Sequence, residues 1–133
     1  MDARGYLEQV AWAQRRIDAL AARRERCREL EALAGSLAGG KAARAALEAL
    51  EAELTARLEA YPALVRQVEA RVDRLEDPLK REVLRMRYLN GWSWKQVAGR
   101  TGLSLPWLYQ VHSAALTAMN DVIPASQGAP TQS

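Results

Sequence analysis

The side chains in this sequence that could do chemistry are few, and their spacing limits what they can do. His112 is the only histidine and Cys27 the only cysteine among 133 residues. A multi-histidine metal site, an HExxH helix and an internal disulfide are therefore excluded. Cys27 has no base near it in sequence and reads as an apolar seam residue, not a reactive thiol. The carboxylates of residues 48–59 recur at helix-surface spacing beside Arg57 and read as a solvated face. The stretch GSLAGGKAA carries glycines and a lysine but lacks the spacing of a phosphate-binding loop and has no strand before it. His112 reads as a surface or packing residue of the last helix in preference to a DNA contact. Trp12, Trp92, Trp94 and Trp107 read as core or docking anchors. No catalytic residue, metal site or cofactor is expected, and the chain does not read as an enzyme.

What the sequence does concentrate is positive charge. The net charge is +3, but up to Asp77 the chain holds 13 Lys/Arg against 14 Asp/Glu. Between Pro78 and Arg100, Lys80, Arg81, Arg85, Arg87, Lys95 and Arg100 face a single acid, Glu82, and beyond Arg100 only Asp121 is charged. A local positive field of this kind suits a surface that approaches phosphates. A second basic cluster, Arg23, Arg24, Arg26 and Arg28, is interleaved with Glu25, Glu29 and Glu31, so helix-surface ion pairing explains it better.

The elements that must position this charge are helices. The hydrophobic content is 49%, mostly Ala and Leu, with 6% aromatic residues and no Phe. That composition favours an all-α fold. Residues 3–34 read as one long helix with Tyr6, Val10, Ala13, Ile17, Leu20 and Cys27 in a heptad-like seam. Arg24 interrupts the seam, and Leu30, Leu33 and Leu37 resume it in shifted phase. GSLAGG at 35–40 predicts a turn or loop. A second long helix is expected from about Lys41 toward Leu75, with a seam from Leu47 to Leu75. Pro62 lies inside that seam, where it either kinks or splits the helix. The two helices can fold back as a hairpin or pair with a second copy of the chain.

Asp77-Pro78 marks the next boundary, as a cap followed by a residue suited to the first helical turn. Three short helices follow: Pro78–Leu89, then Trp94–Arg100 behind a Ser93 cap, then a helix from Leu105 behind a Ser104 cap to about Asn120. Ala98 permits a close helix crossing, and Gly102 supplies the positive φ that a tight turn requires. Apolar Leu103, Leu108 and Val111 would hold the last helix against the one before it. This is helix-turn-helix spacing. The expected organisation is thus a long-helix, coiled-coil-like region at 1–76, a compact three-helix domain at 77–120, and a polar tail at 121–133 expected to be disordered. No stretch of about 20 apolar residues is present for a membrane span and no signal-peptide core is present, so a cytoplasmic protein is expected.

The segment REVLRMRYLNGWSWKQVAGRTGLSLPWLYQVHSAAL resembles the fourth region of sigma-70 family transcription factors. The resemblance lies in Val83-Leu84 and Arg87-Tyr88-Leu89 of the first helix, the glycine before the helix-turn-helix, and the ending Gln110 to Leu116. The whole chain is similar to small phage and prophage proteins that join a helical N-terminal region to a sigma-like helix-turn-helix, a group that includes late-transcription regulators of the ArpU type. The resemblance implies binding to duplex DNA, with the last helix in the major groove and the preceding helices against the backbone. It places base and phosphate contacts at Leu105, Pro106, Tyr109, Gln110 and, further along, Ala114, with Leu105, Pro106, Trp107, Tyr109 and Gln110 at base edges. Sigma domains carry charged residues at several of these positions, whereas here Gln110 alone offers bidentate readout, suited to adenine.

Trp107 can meet a thymine methyl or pack, while Tyr109 and Ser113 can reach phosphates. Arg85, Arg87, Lys95, Arg100 and Ser104 complete the expected phosphate contacts, which position a protein without specifying sequence. If about four phosphates are neutralised per chain, log K should fall with log salt at a slope near −3.6. The expected partners are duplex DNA, RNA polymerase and a second copy of the chain joined through the long helices, with no membrane. The competing expectation is a helical scaffold whose helix-turn-helix no longer binds DNA and docks a protein through Leu105, Pro106, Trp107 and Tyr109.

Overall fold

The computed structural model describes residues 2–34 and 40–124. It is all-helical, with no strand among the described residues: α1 (Ala3–Ala34), α2 (Gly40–Val72), α3 (Pro78–Leu84), a π-helical segment (Arg85–Leu89), α4 (Trp94–Thr101) and α5 (Leu105–Met119). Among the described residues no helix is long and apolar enough to cross a membrane. Residues 35–39 of the loop expected at 35–40 and 125–133 of the tail expected at 121–133 lie outside the described residues, although Gly40 already belongs to α2. Two compact units are present, Trp12–Ala63 and a unit made of Met1–Ala11 with Leu64–Ser133.

Helix α1 opens on Asp2, whose Oδ1 accepts from the Gly5 N–H at 2.8 Å and satisfies one donor of the first turn. Helix α2 runs through Pro62 without a break, so the chain is not split there. It ends at Val72, three residues before Leu75, as the backbone tightens into i→i−3 bonds from Arg74 to Arg71 and from Leu75 to Val72.

In the unit Trp12–Ala63, Ile17, Leu20 and Leu54 form the buried core, with Ala21, Leu50 and Tyr61 packed against it. Ion pairs flank it: Arg16 to Glu53 at 2.8 Å, Arg28 to Glu51 at 2.9 Å and Arg44 to Glu31 at 2.9 Å. Arg28 also meets Glu25 at 3.1 Å, as interleaved charges on one helix suggest. Exposed pairs of this kind contribute about 0–1 kcal/mol each. The apolar seam does not continue inward to the end of α1. Leu30 is 55% and Leu33 81% exposed, and Leu37 lies outside the described residues. Leu30 stands in solvent even though Glu31 beside it pairs with Arg44 of α2, so a facing helix alone does not bury this part of the seam.

In the other unit, Val83, Met86, Val97, Leu108 and Val111 form the core, with Leu79, Trp92, Trp94, Ala98 and Leu103 against it. Both α3 and α4 pack on α5. Tyr6, Leu7, Val68, Val72, Leu84 and Met119 are fully buried, and Arg71 donates to the Val122 carbonyl at 3.0 Å. The sequence predicts one regular helix from Pro78 to Leu89, and the structure corrects this. After Leu84 the helix widens by a π turn, with Asn90 N–H donating five residues back to the Arg85 carbonyl at 2.9 Å. An extra residue in a turn rotates the downstream side chains by about 100° relative to a straight α-helix. Closure of the next loop holds the turn in place: Gly91 takes φ 72°, Trp92 N–H reaches the Met86 carbonyl, and Arg87 donates to the Trp92 carbonyl at 3.0 Å.

Candidate nucleic-acid interface

The candidate interface is built by three caps and one turn. Asp77 accepts from Leu79 N–H at 2.9 Å and starts α3 with Pro78 in its first turn. Ser93 starts α4 through a reciprocal capping box: its hydroxyl accepts from Gln96 N–H at 3.1 Å while the Gln96 side chain accepts from Ser93 N–H at 2.9 Å. The sequence pattern Ser-Trp-Lys-Gln carried that signal. Helix α4 ends on Gly102 at φ 76°, whose N–H donates to the Ala98 carbonyl. Thr101 braces the turn, donating to the Val97 carbonyl at 2.9 Å and accepting from Leu103 N–H at 3.3 Å. Ser104 then starts α5 by accepting from Trp107 N–H at 3.3 Å.

The residues expected at base edges share one exposed surface at the start of α5. Leu105 is 40%, Trp107 52% and Tyr109 48% exposed, and Pro106, Gln110 and Ala114 are exposed as well. Leu108, Val111 and Ala115 point the opposite way into the core. Tyr109 is held edge-on against Trp94, with ring centroids 5.6 Å apart.

The expected phosphate ligands divide. Lys95, Arg100 and Ser113 are exposed, and the first two make no ion pair among the described residues. The Ser104 hydroxyl is engaged as the α5 cap. Arg87 is half-buried, its guanidinium stacked 4.7 Å over the Trp94 ring with one nitrogen on the Trp92 carbonyl. Arg85 makes a surface ion pair with Asp73 and a second with Glu82 at 3.2 Å. A guanidinium with two carboxylate partners has little capacity left for a phosphate. Arg81 is likewise occupied by the Leu75 and Glu76 carbonyls.

Beside this surface lies a cleft of about 370 Å³, lined by Arg4 and Glu8 of α1, Arg87 and Tyr88 of the π segment, Trp94 of α4, and Tyr109, His112, Ser113 and Leu116 of α5. At its floor the Tyr88 hydroxyl and His112 Nε2 lie 2.7 Å apart, sharing one hydrogen bond. The Trp94 ring stands edge-on to His112 at 4.6 Å. His112 is buried, at 8% exposure. Burial, reinforced by the charges of Arg4 and Arg87, lowers its pKa to about 4, so it is neutral at pH 7. Burial also raises the Tyr88 pKa. His112 is thus a packing residue, one of the two roles its sequence position allowed. Arg4 and Glu8 carried no sequence signal: they lie about a hundred residues from α5, and only the folded chain brings them to it.

Among the described residues no group of three or more His, Cys, Asp and Glu side chains is arranged to hold a metal ion. No family of known proteins matches the chain, and neither a curated protein nor a solved structure is detectably similar to it.

Proposed function

We propose that the protein is a DNA-binding transcription regulator of phage or prophage type, in which α4, the Gly102 turn and α5 act as a sigma-70 region 4-like helix-turn-helix. In this reading α5 enters the major groove with Gln110 toward an adenine edge, flanked by Leu105, Pro106, Trp107 and Tyr109. Lys95, Arg100, Arg87 and Ser113 rest on the backbone, and α1 with α2 forms the hairpin-like region that carries the module. The observation that carries the proposal is the Gly102 turn between Ser93- and Ser104-capped helices, which presents an exposed α5 face beside the ion-pair-free Lys95 and Arg100.

The test is duplex affinity by mobility shift for wild type and for Lys95→Glu with Arg100→Glu, both confirmed folded by circular dichroism. Binding should fall roughly tenfold or more, irrespective of duplex sequence. Unchanged binding would remove the proposed docking face.

A second reading draws on one specific observation: α5 has no charged side chain, and Leu105, Trp107 and Tyr109 are exposed together. This suits a protein-docking patch, with RNA polymerase as one candidate partner. Under it, Trp107→Ala would abolish partner binding while the charge variants would leave it intact. We further propose a cytoplasmic homodimer joined through the long helices, supported by the exposed Leu30, Leu33 and Leu58.

A further inference from the structure

We infer that the cleft beside α5 seats a phosphate group, and that Arg4, from the first turn of the chain's first helix, is a ligand to it. The inference rests on the DNA-binding reading only for the source of that phosphate. Three independent features point to the cleft.

The first is backbone. The chain leaves regular α-helix at Arg85–Leu89, and Arg87 and Tyr88, both in that π segment, line the cleft. Single π turns are concentrated at functional sites because they redirect side chains at a cost in local stability. Here the turn delivers a guanidinium and a phenol to one cavity.

The second is charge. The imidazole on the floor is neutral at pH 7, so Arg4, Arg87 and Glu8 set the charge of the lining, and their balance is one positive charge. A phosphodiester carries one negative charge. The Arg4 side chain makes no hydrogen bond or ion pair among the described residues, and Arg87 uses one nitrogen on the Trp92 carbonyl, which leaves further donors on its guanidinium. Guanidinium forks match the oxygens of a phosphate. The hydroxyls of Tyr109 and Ser113 supply neutral donors at the same rim.

The third is position. Tyr109 and Ser113 belong both to the cleft and to the exposed side of α5. A DNA strand lying along that side would bring a backbone phosphate to the mouth of the cleft. The same chemistry would accept a free phosphate, so the experiment must separate the two sources.

The experiment tracks the Trp94 indole N–H of the full-length protein by nuclear magnetic resonance during titration with a short duplex and, separately, with inorganic phosphate. Trp94 walls the cleft and reports its occupancy without being a ligand. The inference expects a saturable shift, with Arg4→Ala weakening binding about tenfold and lowering the salt slope by about 0.9. Glu8→Gln should tighten binding, because it removes the one carboxylate in the lining. A shift with duplex assigns the phosphate to DNA. A shift with inorganic phosphate alone keeps the seat and overturns the DNA-binding reading. No shift with either probe, or the same shift in Arg4→Ala as in wild type, overturns the inference. Arg4 is exposed, and circular dichroism of the variant checks that the fold is intact.

Discussion

At the residue scale, His112 is a buried titratable group whose pKa the fold shifts far from its ordinary value. The groups around it are Tyr88 and Arg87 from the π segment, Arg4 and Glu8 from α1, and Tyr109 from its own helix. Its pKa falls to about 4 in the folded protein from an ordinary 6.5. Between those values the unfolded chain binds the proton more readily, so stability is lost as pH falls from about 6.5 to about 4. Urea unfolding should therefore show roughly 2 kcal/mol less stability at pH 4.5 than at pH 7 from this group. His112→Phe should remove that part of the pH dependence, and an unchanged pH profile in the variant would refute the assignment. The sequence could place His112 on a helix but could not reveal the cleft, since Tyr88, Trp94 and Arg4 converge on it only through packing. Arg85 shows the same effect in reverse. By composition it belongs to the basic patch, and only the fold brings Asp73 across to neutralise it.

At the scale of elements, local chemistry was the most legible. Asp77, Ser93 and Ser104 each cap the helix that their types and spacing announce, because an N-cap bond spans two or three residues and needs no tertiary partner. Gly102 was legible for the same reason, as a turn that demands φ above zero. A Cβ built on Gly102 meets nothing within 4 Å, so the cost of Gly102→Ala is backbone strain alone. We expect a loss of about 1 kcal/mol in denaturant unfolding with the far-ultraviolet spectrum preserved. A loss near zero would mean that the turn tolerates another conformation. The π segment was not legible. Its five-back hydrogen bond occurs beside an Arg87 bond that closes the following loop onto the Trp92 carbonyl, and no local propensity encodes that combination.

At the scale of the molecule, composition sufficed for the all-helical class, and the bounds of α1 match the seam that predicted it. What periodicity could not supply is which part of each seam is covered. Ile17, Leu20 and Leu54 are buried, whereas Leu30, Leu33 and Leu58 stand in solvent. Sedimentation should find a homodimer that Leu30→Glu with Leu33→Glu converts to monomer. A wild-type monomer at micromolar concentration would argue against the dimer.

Binding to duplex DNA is tested most directly by its salt dependence. With Arg85 committed to Asp73 and Glu82, the groups left to meet phosphates are Lys95, Arg100 and the cleft pair Arg4 and Arg87, which share one phosphate. Three neutralised phosphates predict a slope of log K against log salt of about −2.7, falling to about −0.9 when Lys95 and Arg100 are reversed. A slope near zero in the wild type, or one that the double variant leaves unchanged, would contradict DNA binding through this face.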